Sequence, residues 1–314
     1  MSASSGSESL LAPKNLVAFL TVSVIWGGTW LVIRDQISSV PPAWSITYRF
    51  IVAALGMFAL AKLRGESLRV APGGWRWVVA LALFQFSLNF GFVYNAERFI
   101  TSGLVAVMFA LLVVPNAVLG RLFLGQPISR EFVLGSAIAA VGVAMLFAQE
   151  YRASPATLGE VLTGAALTIG GILAASAANI VQAMEGAKRQ PLLTLLAWAM
   201  LVGVAINAVF ALVVSGPPVF DERPAYTLGI LYLGLAGSVV TFPLYYGLVR
   251  KVGAGKAAYS SVIVPVVAMI LSTLFEGFVW GPLPAAGAAI TLTGMIVAMR
   301  GRAAPPPRRA TPEP

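Results

Sequence analysis

Long apolar blocks alternate with short polar joints along almost the whole chain. Ten blocks are read, roughly Leu16–Ile33, Trp44–Leu63, Trp75–Ala96, Ser102–Phe123, Arg130–Phe147, Thr157–Met184, Leu192–Val214, Tyr226–Val249, Lys256–Phe275 and Leu283–Met299. Each is about 18–25 residues, enough at ~1.5 Å per residue to cross a ~30 Å hydrocarbon layer. The Pro-Pro pairs at 41–42 and 217–218 and the run Gly125-Gln126-Pro127 mark connections. The pattern predicts an all-α polytopic membrane protein with ten transmembrane helices. Residues 1–13 read as a polar, Ser-rich disordered tail. They lack the basic start and cleavage site of a signal peptide, so the first block is expected to be retained. Residues 301–314, rich in Pro and Arg, read as a second disordered tail.

The pattern also contains itself. Adding 152 to a residue number carries Phe90, Tyr94, Arg98, Gly103 and Ala106 onto Phe242, Tyr246, Arg250, Gly255 and Ala258. The same step carries Gly125, Gly135, Ile138 and Gly142 onto Gly277, Gly287, Ile290 and Gly294, without a gap. The chain divides into repeats 14–150 and 151–300, five helices each. Five is odd, so the second half starts on the opposite side of the membrane. Inverted repeats of this kind typically place a substrate site near the midplane, between the halves.

Charge agrees with that count. Of 21 Lys and Arg, sixteen fall in the tails and even-numbered loops, four in odd-numbered loops (Arg34, Arg98, Arg152, Arg223), and Arg49 lies within a block. The positive-inside rule then puts both termini in the cytoplasm. Charged residues are 11% of the chain and hydrophobic residues 58%, against about 25% charged in soluble domains. The net charge of +9 is assigned to topology and anionic headgroups, not to nucleic acid. The chain has no Cys and no His, which removes thiol nucleophiles, imidazole bases and the usual metal ligands. No Walker pattern or nucleotide fingerprint is present, and no loop is long enough for a soluble catalytic domain. No cofactor, no metal and no enzymatic activity are expected.

Trp26-Gly27 in the first helix, Tyr48-Arg49-Phe50 with Ala53-Ala54 in the second, and the series Gly103, Pro115, Gly125, Gly135, Gly142 resemble the EamA family of the drug/metabolite transporter superfamily. Gln126 stands where that family commonly has Glu. The resemblance covers nearly the full chain and is nearest to the bacterial YddG-type exporters of aromatic and neutral amino acids. It implies an alternating-access exporter in the inner membrane, taking amino acids as substrate.

Candidate contacts follow from polarity inside the blocks. Gln85 and Asn89 share a face of the third helix, and Ser176, Asn179 and Gln182 one of the sixth. Ser238, Thr241 and Tyr245 lie at helical spacing on the eighth, with Asn89 and Thr241 expected to face each other across the cavity. The alternative for each is interhelical hydrogen bonding. Trp26 and Trp30 lie mid-block, suited to lining a cavity or packing on Gly27-Gly28. Phe86, Tyr94, Phe109, Tyr245, Tyr246 and Tyr259 are further aromatic candidates. Arg49, about 7 Å inside its helix, is expected to snorkel outward; the functional alternative is a contact for a substrate carboxylate or a gate. Pro115 and Pro265 are expected to kink the fourth and ninth helices as static bends or hinges.

All twelve acidic residues fall in tails, loops or block ends. With no intramembrane carboxylate, transport of neutral or zwitterionic solutes without strong proton coupling is expected. The alternatives are export of other small neutral metabolites or drugs and, from another class, an intramembrane enzyme or lipid-handling protein. A monomer in a lipid bilayer is expected. A pH gradient alone is therefore not expected to drive accumulation in liposomes.

Overall fold

The structure, a computed structural model, describes residues 12–153, 157–252 and 260–300. The tails, Tyr259 and the repeat partners Gly255 and Ala258 lie outside these residues. Ten helical runs follow one another among the described residues: α1 Pro13–Gln36, α2 Pro42–Leu63, α3 Trp75–Ala96, α4 Ser102–Leu124, α5 Arg130–Ala153, α6 Leu158–Ala183, α7 Leu192–Ser215, α8 from Pro224–Leu231 through Thr241–Val252, α9 Ser260–Phe275 and α10 Pro282–Arg300. A single turn, Glu185–Lys188, sits between α6 and α7. Eight of the runs are long and apolar enough to cross a membrane, and Ile263–Phe275 and Pro282–Ala298 are shorter apolar helices. Large apolar side chains such as Leu55, Leu63, Leu122, Val213, Leu274 and Phe275 face outward. Such an exterior is stable in lipid and not in water.

The helix ends carry local signals. Proline opens α1, α2, α8 and α10, where its missing N–H costs nothing. Thr157 and Glu160 form a reciprocal capping box at the start of α6. Glu66, from the α2–α3 connection, accepts from the backbone N–H groups of Leu193 and Thr194 at 3.1 and 3.3 Å, placing a carboxylate on the N-terminus of α7. Gly125 and Gly277, 152 apart, both adopt left-handed conformations (φ 66° and 73°), one ending α4 and one following α9.

Three helices depart from regular α geometry. α3 contains a π segment at Ala82–Asn89 and α8 one at Tyr232–Val240. These fall at nearly the same register under the 152-residue step. Residues Ala110–Leu112 of α4 tighten into a 3-10 turn just before Pro115, whose ring cannot accommodate the α-helical carbonyl four residues earlier. Pro265 lies inside α9.

The packing pattern maps onto itself when the halves are exchanged. α2 packs on α7 and α5 on α10; α1 packs on α8 and α9, as α6 packs on α3 and α4. The α5–α10 contact shows why small residues are needed. A Cβ at Gly135 would run into the backbone of Gly294 and Ala298, and one at Gly142 into the backbone of Gly287 and Thr291. The reverse holds from Gly287 and Gly294, so each glycine meets the repeat partner of the other. Hydrogen bonds tie connections at the two ends. Arg223 reaches Asp35 and Ser39 at one end, while Gln190 accepts from the backbone of Ala71 at the other.

Replacing Gly294 with Leu is expected to cost at least about 1–3 kcal/mol, because no flexible side chain can yield to it. The same change at Gly91, which has open space around its missing Cβ, is expected to be tolerated. Thermal unfolding in detergent checks the pair.

Candidate functional site

A cavity of about 150 Å³ lies inside the bundle, lined from α1, α2, α3, α4, α6, α8 and α9. At about 30 Å³ per water, this is room for about five waters, the scale of one small solute. Its wall includes Trp26, Trp30, Arg49, Gln85, Asn89, Phe109, Asn116, Asn179, Phe242, Tyr245, Tyr246 and Pro265.

Arg49 is the main electrostatic feature of the wall. It is 1% exposed, not snorkelling to an outer headgroup layer, which corrects the expectation from its distance to the helix end. The α2–α8 packing turns it inward, where α8 supplies oxygens that the sequence does not reveal. Its Nη1 donates to Tyr94 Oη at 3.4 Å, and Nε and Nη2 donate to Ser238 Oγ at 3.4 and 3.3 Å. Nη2 also points at the carbonyl of Gly237, 3.5 Å away. Its Cζ lies 4.3 Å from the centroid of Phe90 and 5.4 Å from that of Phe50, within cation–π range. These contacts are long for charge-assisted hydrogen bonds, which prefer about 2.7–2.9 Å. No ion pair among the described residues includes Arg49.

The π segment of α8 explains why the oxygens gather there. A π turn accommodates an extra residue and shifts the following carbonyls out of the α-helical ladder. The Gly237 carbonyl accordingly meets Trp26 Nε1 at 3.4 Å and Thr241 Oγ1 at 2.7 Å as well as the guanidinium. Ser238 Oγ donates to Leu233 O at 2.8 Å, which leaves its lone pairs to Arg49.

Amides and rings complete the wall. Asn89 Nδ2 donates to Gly171 O of α6 at 2.9 Å, Gln85 Nε2 to Asn89 Oδ1 at 3.3 Å, and Tyr246 Oη to Gln85 Oε1 at 3.4 Å. Across the cavity Asn179 Nδ2 donates to Asn116 Oδ1 at 3.4 Å. Trp26 packs on Tyr245 and Phe242 with centroids 5.0 and 5.7 Å apart, and Trp30 on Phe109 at 5.1 Å.

The structure thus gathers Trp26, Trp30, Arg49, Gln85, Asn89, Asn179, Tyr245 and Pro265 on one cavity. Several candidates stand elsewhere, with Tyr94, Ser176 and Ser238 fully buried off the wall. Phe86 is fully buried behind the wall, edge-on to Phe50 and Phe242. Thr241 is also fully buried, so it does not face Asn89 across the cavity. Its hydroxyl returns to the carbonyl four residues earlier, a common resolution in an apolar helix. Gln182 is buried away from the cavity, and Pro115 is not on its wall. Tyr259 lies outside the described residues. Phe90, Phe242 and Asn116 line the cavity without having been singled out; Asn116, a polar residue beside a helix-breaking proline, carried the readable signal.

Two acidic residues in connections differ in their surroundings. Glu97, in the α3–α4 connection, is fully buried, and neither of its oxygens has a hydrogen-bond partner. Asp221, in the α7–α8 connection, is different: Ser39, the Arg223 backbone and the Arg223 guanidinium hold it down to about 2.

The profile of the EamA-like transporter family matches residues 14–148 and again 162–300. The chain belongs to that family and is a multi-pass membrane transporter of its type. It is 25% identical to protein PagO of Salmonella typhimurium, over 83% of this chain and 85% of that one. It is 27% identical to the uncharacterized inner membrane transporter YedA of Escherichia coli K12, over 83% and 82%. A probable amino-acid metabolite efflux pump of Salmonella typhimurium is 21% identical over 90% and 93%. One crystal structure superposes with a TM-score of 0.67 at 18% identity, covering 91% of this chain and 96% of that one, a likeness of fold.

Asn89→Leu is expected to remove the interhelical donor to the Gly171 carbonyl and the acceptor of Gln85 Nε2, and to cost about 1 kcal/mol. Asn179→Leu, whose partner Asn116 is on the cavity wall, is expected to change stability less. Thermal denaturation of the two variants in detergent compares them.

Proposed function

We infer that the chain exports amino acids, aromatic and other neutral ones, across the inner membrane by alternating access. The observation that carries this reading is Arg49: a buried guanidinium on a cavity wall, with long contacts and no carboxylate partner among the described residues. A substrate carboxylate would supply the missing anion through the guanidinium fork. Uncharged amides such as Asn89, Asn116 and Asn179 can accept from an ammonium, and the Trp26, Tyr245 and Phe242 cluster suits an apolar or aromatic side chain. The printed name of one relative, an amino-acid metabolite efflux pump, supports the substrate class, and that of another supports the inner membrane.

The architecture in this reading is ten spans in two inverted repeats, 14–150 and 151–300, with both termini cytoplasmic. Three observations support it: the double family match, the π segments at equivalent register, and the exchange-symmetric packing of α5 on α10. In such a fold the halves rock about a central site. Pro265, on the cavity wall within α9, is the hinge this assigns; Pro115, beside the 3-10 turn of α4, is its counterpart.

Reconstituted in liposomes, the protein is expected to exchange labelled neutral and aromatic amino acids; no uptake of any of them would overturn the reading. Arg49→Gln is expected to lower apparent affinity about tenfold to a hundredfold, the equivalent of one charged hydrogen-bond set. The corresponding amine without a carboxylate should be a poor substrate of the wild type and no worse a substrate of Arg49→Gln. Equal transport of acid and amine by the wild type would point instead to other neutral metabolites. Export with surface expression unchanged in Asn89→Ala, Asn179→Ala and Trp30→Ala alike would place the substrate elsewhere.

A further inference from the structure

Away from the cavity, one end of the bundle holds a buried acidic group that transport through the Arg49 site does not use. Glu97 closes the last turn of α3 and is 0% exposed, with both carboxyl oxygens lacking a partner. Glu276 follows the last turn of α9. One of its oxygens accepts from Ser102 Oγ at 2.5 Å, and the other is buried without a partner. Ser272, one turn earlier on α9, also has a buried, unpartnered hydroxyl. Three helix ends, from α3, α4 and α9, therefore meet around two carboxyl groups.

An ionised carboxylate with no donor cannot be stable in that setting, and two beside each other less so. Burial, and then the charge of Glu276, hold the Glu97 carboxyl well above the usual carboxylate range; Arg34, on the last turn of α1, pulls the other way. The remaining charges nearby are committed elsewhere. Arg98 donates to Asn95, Glu160 on α6 turns back to Thr157, and Asp35 pairs with Arg223.

We propose that Glu97 and Glu276 form a proton-binding latch that holds this end of the bundle closed and opens it when the proton is lost. Protonated, Glu97 stays buried and the ends of α3, α4 and α9 remain together. Opening lets water reach Glu97, which releases its proton to that water and becomes a carboxylate, with the exposed Arg34 as its nearest counter-charge. The ligand of the site is a proton. The proposal rests on the transport reading only in naming this the outer end, where the α1–α2, α3–α4, α7–α8 and α9–α10 connections lie. The latch makes the conformation depend on pH and leaves untouched the expectation that a pH gradient alone does not drive accumulation.

The sign follows from linkage. The closed form holds the proton more tightly than the open form, whose solvated Glu97 titrates near 4.5. Closure is therefore fully favoured below about 4.5 and is lost as pH rises toward the raised value of the buried group. Over that window the open-to-closed ratio rises by up to about tenfold per pH unit for one proton.

The chain has no native cysteine, so spin labels can be placed at Ser38→Cys and Val279→Cys on exposed sites of the α1–α2 and α9–α10 connections. Electron–electron distance measurements in nanodiscs at pH 4.5 and pH 8.5 are expected to show a population with a longer separation growing at high pH. Glu97→Gln, neutral and of the same shape, should hold the short distance at both values. Glu276→Gln should keep the response and move its midpoint to lower pH, because a neighbouring negative charge is gone. A wild type indifferent to pH, or a Glu97→Gln protein that responds as the wild type does, would overturn the latch. A pH response that survives in protein carrying no amino-acid flux would support the latch and sink the transport reading separately.

Discussion

A guanidinium inside an apolar bundle must be surrounded by oxygen atoms or π faces, since removing a charge from water costs several kcal/mol even after relaxation. Arg49 meets that constraint with Tyr94, Ser238, the Gly237 carbonyl and the rings of Phe50 and Phe90. Much of the surrounding structure can be understood from it. The π segment of α8 turns a carbonyl and a hydroxyl toward it, α2 must pack close to α8, and Tyr94 must reach in from α3. The compensation is incomplete by one anion. In the proposed mechanism that anion is the substrate, and an empty site is electrostatically unsatisfied.

The second constraint is closeness. Inside a membrane there is little hydrophobic force between helices, so association depends on dispersion and on backbones approaching closely. The α5–α10 pair does this by meeting glycine with glycine's neighbour in both directions. That pair stands apart from the cavity-lining helices α1–α4, α6, α8 and α9, which would be the ones free to rearrange. A closed scaffold beside a largely apolar cavity with a few polar groups suits the rocking motion proposed for the two halves.

Buried polarity divides this molecule into two chemically different places. The cavity holds a cation and amides, and the end near α9 holds two carboxyl groups. Neither place forms an ion pair with the other among the described residues. In the proposed roles each is available to an outside partner, an anion in one case and a proton in the other.

The all-helical membrane fold, the family and the small-residue contacts were legible along the chain, because block length, loop charge and internal repetition are properties of sequence order. Trp26, Trp30, Asn89 and Asn179 were legible as cavity residues for a similar reason: a polar or aromatic group mid-block has few inexpensive positions. Arg49 was misread, and the burial of Glu97 was not foreseen, for one shared reason. Distance along a helix or membership of a connection does not tell which neighbours fold over a side chain. Thr241 and Phe86 were misplaced because rotation about a helix axis depends on π segments, which no residue pattern here announced. Sequence alone determined that the chain is a string of apolar helical segments and to which family it belongs. Only tertiary packing decided which charges lose their water, since that depends on helices far apart in the chain meeting at one point.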